Sequence, residues 1–373
     1  MIYATPPIDG ALREQLDELI RLRETLGEEA RTRSRWMGSL RREARAGTVR
    51  ASTSIEGFSV SPEEAAALVE GREEAKPEDE HRMAVACYAR AMDHVGTLGI
   101  DPSFAWLDRV ILDLHFDACC FQRDKDPGLW RTGSIGVAGP DGALEFEGPP
   151  GDRVMPLMAE VIGWLAAGDL DSDPVVRAAM AHLHVTSVHP FRDGNGRIAR
   201  IVQSLVLARA GLAAADLFSI EEYLGSHTQE YYAALREAQG GGYHPERDAS
   251  GWVAFCLGAH LAQARRRLQQ IESAGMRWAA LEQLVDARGW PDRLVIALEQ
   301  ALAGGTERAR YAAEADVSPA TASADFRRLT DAGLLDQSGR GRNTGYQPTD
   351  RLHREVEPRR FDLAVPHTRP VSG

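Results

Sequence analysis

Residues His189 to Arg200 read HPFRDGNGRIAR, and no other stretch of the 373-residue chain concentrates so much chemistry. His189 offers an imidazole that can accept a proton near neutral pH. Asp193 supplies a carboxylate oxygen of the kind Mg²⁺ prefers when it shares its remaining ligands with water and phosphate. Gly194, Asn195 and Gly196 form a turn where a phosphate can approach the backbone, since amide N–H groups converge at a helix N-terminus. Arg197 and Arg200 are three apart, so on a helix they share a face and can reach one polyphosphate. Together these parts suit the transfer of a nucleotide.

The flanking sequence predicts two helices that hold this loop. Asp173-Pro174 is a helix start, with Asp as N-cap and Pro in the first turn. Val176, Met180, Leu183 and His184 follow at helical spacing. Pro190 pushes His189 out of helical geometry and ends that helix. The glycine turn opens the next one, which Ile201, Val202, Leu205 and Val206 continue as a buried stripe.

Other readings are weaker. His182, His184 and His189 suggest zinc, but 182 and 184 fall on different helical faces and no Cys pattern joins them. Asp193-Gly194-Asn195-Gly196 resembles a scrap of a calcium loop without its spaced carboxylates and closing Glu. No glycine-rich loop ends in Gly-Lys-Ser/Thr, which excludes a Walker-type phosphate site.

The segment resembles the core motif of the Fic (filamentation induced by cAMP) family, HxFx(D/E)GNGRxxR. His189, Phe191, Asp193, Gly194, Asn195, Gly196, Arg197 and Arg200 occupy its fixed positions. The resemblance implies a mostly α fold: a Fic-type helical bundle with a short β-hairpin flap. It also implies a protein adenylyltransferase that moves AMP from ATP, with Mg²⁺, to a Tyr, Thr or Ser hydroxyl. His189 would then be the general base and Asp193 the metal ligand. Gly194, Asn195 and Gly196 would bind phosphate, Arg197 would brace the phosphates, and Arg200 would meet the γ-phosphate. Phe191 would pack and fix the loop.

Upstream, Ser52-Thr53-Ser54-Ile55-Glu56-Gly57 fits the family's inhibitory pattern, (S/T)xxxE(G/N). Ser52 and Glu56 lie one helical turn apart, and Gly57 suits a helix terminator. In the family such a glutamate reaches the second motif arginine, here Arg200, and displaces the γ-phosphate. Ser61 and Glu64 form a capping box for the next helix.

Ser134, Ile135, Gly136 and Val137, a Gly139–Gly142 turn and Leu144-Glu145-Phe146 read as a hairpin. The hairpin resembles the Fic flap, which pins a target segment by main-chain pairing. Tyr231 and Tyr232 occupy the place of a tyrosine pair that lines the nucleotide site in relatives. Gln239 stands where some relatives use an asparagine to read adenine.

Composition is that of an ordinary globular protein, 43% hydrophobic and 26% charged. A net charge of −12 does not favour nucleic acid in bulk. No signal peptide and no run of transmembrane length is read, so a cytoplasmic protein without membrane contact is expected. Cys87, Cys119, Cys120 and Cys256 form no CxxC and read as buried reduced thiols. Residues 11–50 are helical and charged, 70–82 a charged solvated run, and 83–120 further helices. A long helix follows Gly251, with Arg265-Arg266-Arg267 on its solvated side.

The C-terminal part reads differently. Leu294–Leu302 is an apolar helix, and Ala309–Ala315, Ser318-Pro319 and Ala320–Leu329 read helix–turn–helix. A Gly339-Arg340-Gly341-Arg342 turn and Tyr346 follow. The order resembles a winged helix, with Arg327, Arg328, Arg340 and Arg342 as local positive charge. Protein docking or a purely architectural role is preferred over DNA contact for this module. The expected layout is 1–95, an N-terminal helical region; 96–250, the Fic core; 251–290, a helical linker; 291–350, the winged-helix-like domain; and 351–373, a flexible tail. Expected partners are a target protein, the chain itself as a target of self-modification, a second copy in a homodimer, and DNA as the less favoured one. Rival functions are a DNA-binding regulator with a nucleotide-sensing Fic domain, and a Fic-fold enzyme that removes AMP or moves another phosphate group.

Overall fold

A computed structural model describes all residues except 32–34, 140–141, 213–214, 340–343 and 357–373. The described residues group into two compact units, one drawn from 1–33 and 41–268, the other from 34–40 and 269–373. Both are mostly helical.

In chain order the helices are α1 (Gly10–Arg31), α2 (Arg35–Ile55), α3 (Pro62–Val69), α4 (Glu80–Ile100) and α5 (Asp108–Cys119). A hairpin follows, β1 (Gly136–Ala138) and β2 (Leu144–Glu147). Then come α6 (Gly151–Ala167), α7 (Pro174–Val188), α8 (Asn195–Arg209), α9 (Ala215–Phe218), α10 (Glu221–Ser226), α11 (Thr228–Gln239) and α12 (Ser250–Asp286).

The first unit is built on α7 and α8, which pack against each other; α6 covers α7, and α4 and α5 cover α8. In α7 every residue from Val175 to Val188 except Arg177 is buried. Its sequence, PVVRAAMAHLHVTSV, is small and apolar around the whole circumference, which suits a helix with no solvent face. Asp173 caps it by accepting the Val175 N–H at 2.9 Å, and Arg23 forks onto the same carboxylate at 3.2 and 3.0 Å. Ser61 and Glu64 complete the capping box that starts α3. Asp79 caps α4, so the charged run 70–82 is a turn that ends in a helix start.

Two surface expectations need correcting. Arg267 is not solvated: its side chain is 2% exposed and faces Glu222 at 3.2 Å. Successive residues of a helix turn by about 100°, so three in a row cannot all face water. Of the four free cysteines, Cys120 is only partly buried.

The second unit holds α13 (Leu294–Leu302), β3 (Thr306–Glu307), α14 (Arg308–Ala315), α15 (Pro319–Asp331), β4 (Leu335–Ser338), β5 (Gly345–Pro348) and α16 (Asp350–Val356). Its sheet is antiparallel in the order β3-β5-β4. Phe326 stacks on Tyr346 with centroids 4.0 Å apart and meets Tyr311 edge-on at 5.3 Å. Ser318 caps α15 with Pro319 next to it. Arg327 and Arg328 are exposed, whereas Arg340 and Arg342 lie outside the described residues. The tail does not begin at 351. Leu352 and Val356, four apart, bury one face of α16 in this core.

Burial pushes five imidazoles of the first unit below their ordinary value: His115, His189 and His260 to about 4, His182 and His184 to about 3. The unfolded chain takes up those protons near pH 6.5, whereas the folded chain resists them. Unfolding free energy is therefore expected to fall as pH drops from about 6.5 toward 4. Denaturant melts across that range check this; a flat profile contradicts it.

Candidate active site

His189 ends α7 in the left-handed region, at φ +51°, directly before Pro190. Proline disfavours the helical region for the residue before it, which drives the chain out of α7 here. The ring is oriented by one hydrogen bond, between Nδ1 and the Thr186 carbonyl at 3.1 Å. A carbonyl only accepts, so Nδ1 carries the proton and Nε2 keeps its lone pair. Burial lowers the His189 pKa to about 4, outweighing that hydrogen bond. The imidazole is therefore neutral at neutral pH and ready to accept a proton.

The loop that follows is fixed from several sides. The Asn195 amide spans it twice: Oδ1 accepts the Phe191 N–H at 2.9 Å and Nδ2 donates to the Phe191 carbonyl at 2.9 Å. The Asn195 side chain is thus consumed in holding the loop, and its main-chain N–H remains for an anion. Phe191 is fully buried and stacks on His115, centroids 3.6 Å apart. His115 accepts the Gly128 N–H at Nδ1, so Nε2 carries the proton donated to the Asp193 carbonyl at 3.0 Å. Arg131 is buried and donates to the carbonyls of His189, Gly133 and Pro149 at 2.6 to 2.7 Å. It ties the approach to the hairpin to the end of α7.

Gly194 sits at φ +77° as the N-cap of α8, with no side-chain cap. A Cβ there would meet Cys119 Sγ at 2.5 Å. The first N–H groups of α8 have no intrahelical partner, so an uncapped helix start opens beside Asp193. The Asp193 side chain is 38% exposed.

Arg200 meets Glu56, as the inhibitory pattern implies, and Arg197 is turned away from the cavity. Arg200 is 1% exposed and is held from the C-terminal end of α2: Nε donates to Ser52 Oγ at 2.7 Å, and Nη2 to the Ser52 carbonyl at 3.1 Å and Glu56 Oε1 at 2.7 Å, while Nη1 makes no hydrogen bond. Burial alone would lower its pKa; the Glu56 charge, with Tyr231 and Tyr88, carries it above the ordinary value. Arg197 is 1% exposed, lies over the rings of Phe58 and Phe121, and donates to Gln122 Oε1 at 2.8 Å. Neither guanidinium borders the cavity described next. Burial, with Glu56 on one and the two phenylalanines on the other, withdraws both.

A cavity of about 340 Å³ lies over the start of α8. Its floor is His189, Asp193, Gly194, Asn195 and Gly196, and Glu56 borders one end. Ile135, Gly136 and Val137 of the hairpin line another side; Ser134 does not. β1 and β2 pair antiparallel, with Val137 opposite Phe146. The turn at Pro140 and Asp141 lies outside the described residues. Tyr231, Tyr232 and Gln239 line it as well, with Leu235 and Arg236 beside them. Tyr231 is 1% exposed and its hydroxyl meets His182 Nε2 at 2.9 Å, so it is as much a core residue as a wall. The other nitrogen of His182 meets Gln203, which leaves it no lone pair for zinc. Tyr232 is the exposed member of the pair, at 39%.

Residues 106–207 match the family model described as Fic/DOC family. That stretch, which holds the whole of the 189–200 loop, is a Fic domain. Among curated proteins, its Fic region is similar to the protein adenylyltransferase fic-1 of Caenorhabditis elegans, 38% identical over 136 residues, which are 36% of this chain and 24% of that one. It is similar to the protein adenylyltransferase Fic of Culex quinquefasciatus, 29% identical over 199 residues, 52% of this chain and 37% of that one. The chain thus spans well under half the length of these relatives. A Fic family protein from Desulfovibrio desulfuricans G20 shares the fold over 93% of this chain and 98% of its own, with TM-score 0.59 and 23% identity. The Fic-1 segment 134–508 of C. elegans covers 69% of this chain and 71% of its own, with TM-score 0.53 and 24% identity.

Reading the Fic motif alone misses His115, Gln122 and Arg131, which support the loop from α5 and the segment after it. Only Trp130-Arg131 stood near a recognised stretch, and nothing in its spacing marks a clamp. Asn195→Ala is expected to leave the buried Phe191 amide and carbonyl unpaired, at a cost of about 1–3 kcal/mol. Denaturant melts and hydrogen exchange at the Phe191 amide check this; unchanged values in both contradict it.

Proposed function

We propose that the Fic domain transfers AMP from ATP to a Tyr, Thr or Ser hydroxyl of a protein, and that Glu56 restrains it. One observation carries this reading: a neutral imidazole with a free Nε2, a metal-suited carboxylate and an uncapped helix start share one cavity. His189 Nε2 takes the proton from the acceptor hydroxyl. The oxygen forms a bond to the α-phosphorus, the bond from that phosphorus to the bridging oxygen breaks, and pyrophosphate leaves. The proton on His189 then returns to solvent. Orientation and charge neutralisation supply most of the rate gain.

Asp193 fits a divalent cation that takes its other ligands from phosphate and water. Among the described residues no three His, Cys, Asp or Glu side chains cluster as an all-protein metal site, which suits such sharing. When bound, Mg²⁺ would neutralise phosphate charge. The main-chain N–H groups of residues 195 and 196 would face the phosphates. Tyr232 and Gln239 would flank the base; Gln239 Nε2 donates one N–H to Ser187 Oγ at 3.1 Å, and Oε1 would accept from an exocyclic amine. The outer edge of β1, exposed along its three residues, would pair with the target segment.

Glu56 supports the restraint by its position. It holds the anion place on Arg200 that a γ-phosphate would take. Glu56→Gly is expected to raise incorporation from α-labelled ATP in a cell lysate severalfold or more, and His189→Ala to abolish it in either background. Label arriving from γ-labelled ATP, or none from either, contradicts AMP transfer; no gain with Glu56→Gly contradicts the restraint.

A further inference from the structure

We propose that Gln122 is a positioning residue for Asp193, keeping that carboxylate free to hold a divalent cation. The inference rests on the assignment of Asp193 as the metal ligand. Gln122 follows the end of α5, where its N–H donates to the Cys119 carbonyl at 2.9 Å and its carbonyl accepts from Lys125 N–H at 3.0 Å. Both sides of its backbone are thus tied down. Its amide bridges two charged groups: Nε2 donates to Asp193 Oδ2 at 3.1 Å, and Oε1 accepts from Arg197 Nη2 at 2.8 Å.

Chemistry fixes this orientation. A guanidinium only donates and an ionised carboxylate only accepts, so the amide oxygen faces Arg197 and the nitrogen faces Asp193. A side chain with an acceptor end, a donor end and no charge can join such a pair without neutralising either partner. The direct approach of Arg197 to Asp193 is long, 3.4 Å to Oδ1. A fully formed, two-pronged arginine–carboxylate pair would use the oxygens a cation needs and cancel their charge. Gln122 takes the nearest donor of Arg197, while Nε and Nη1 of that guanidinium are buried and make no hydrogen bond. Asp193 Oδ1 accepts the Gly194 N–H at 2.6 Å, which aims the carboxylate from the other side. These contacts still leave lone pairs of the carboxylate, 38% exposed, facing the cavity.

Groups that orient a metal ligand from behind change metal affinity by roughly 10- to 100-fold when removed. The test uses the full chain with Glu56→Gly and measures ATP binding calorimetrically over a Mg²⁺ series and in EDTA. Gln122→Met, which keeps length and loses both hydrogen bonds, is expected to raise the Mg²⁺ concentration for half-maximal enhancement of ATP binding by about tenfold or more. Binding in EDTA is expected to stay within about twofold, since the amide acts on the cation and not on the nucleotide. Unchanged Mg²⁺ dependence, or loss of binding in EDTA as well, overturns the positioning role. Asp193→Asn runs alongside: if it leaves the Mg²⁺ dependence unchanged, the metal assignment of Asp193 fails, whatever Gln122→Met shows.

Discussion

Arg200 carries a full positive charge in the interior of the Fic domain, and a buried guanidinium needs an anion. Glu56 provides it at 2.7 Å, with Ser52 contributing two further oxygens from the same turn of α2. Breaking one side of a buried ion pair typically costs about 3–5 kcal/mol, because the remaining charge is left uncompensated. On the proposed reading, a phosphate oxygen at the adjoining helix start would take the place of Glu56 on Arg200. Gly196 makes that closeness feasible, since a Cβ there would come within 2.5 Å of Glu56 Oε1. The same contact makes α2 part of the site although it lies far away in sequence.

The rest of the domain serves to hold the loop still. α7 and α8 are buried on nearly all sides, so the segment between them is mounted on rigid supports. Arg131, His115 and Asn195 then satisfy its carbonyls and amides one by one. A left-handed histidine is a strained choice, and it persists where surrounding bonds over-determine it. Strain and clamping together aim the imidazole into the cavity rather than along the helix.

Much of this was legible in the sequence because it rests on local rules. Pro190 after His189, Asp173 before Pro174, and Ser61 with Glu64 each announce a helix end through their own side chains. The hairpin and the helix-rich C-terminal unit followed from turn residues and periodicity in the same way. The hidden parts depend on residues distant in sequence. Gln122 and Arg131 look like ordinary polar residues near charged neighbours until folding brings them to Asp193 and to the carbonyls of the loop. Arg197 and Arg200 share a helix face as their spacing requires; the Ser52–Gly57 pattern pointed to Glu56 on Arg200, but nothing pointed to the two phenylalanines over Arg197. Arg267 deceived for the opposite reason: a run of charge suggested water, but helical rotation carried one member inward.

The most direct measurement is a crystal structure of the Glu56→Gly chain with a non-hydrolysable ATP analogue and Mg²⁺. The triphosphate is expected over the first turn of α8, with its α-phosphorus beside His189 Nε2 and its terminal phosphate on Arg200. A nucleotide bound elsewhere, or bound there with Arg200 still turned away and without an anion, contradicts the proposed exchange of anions.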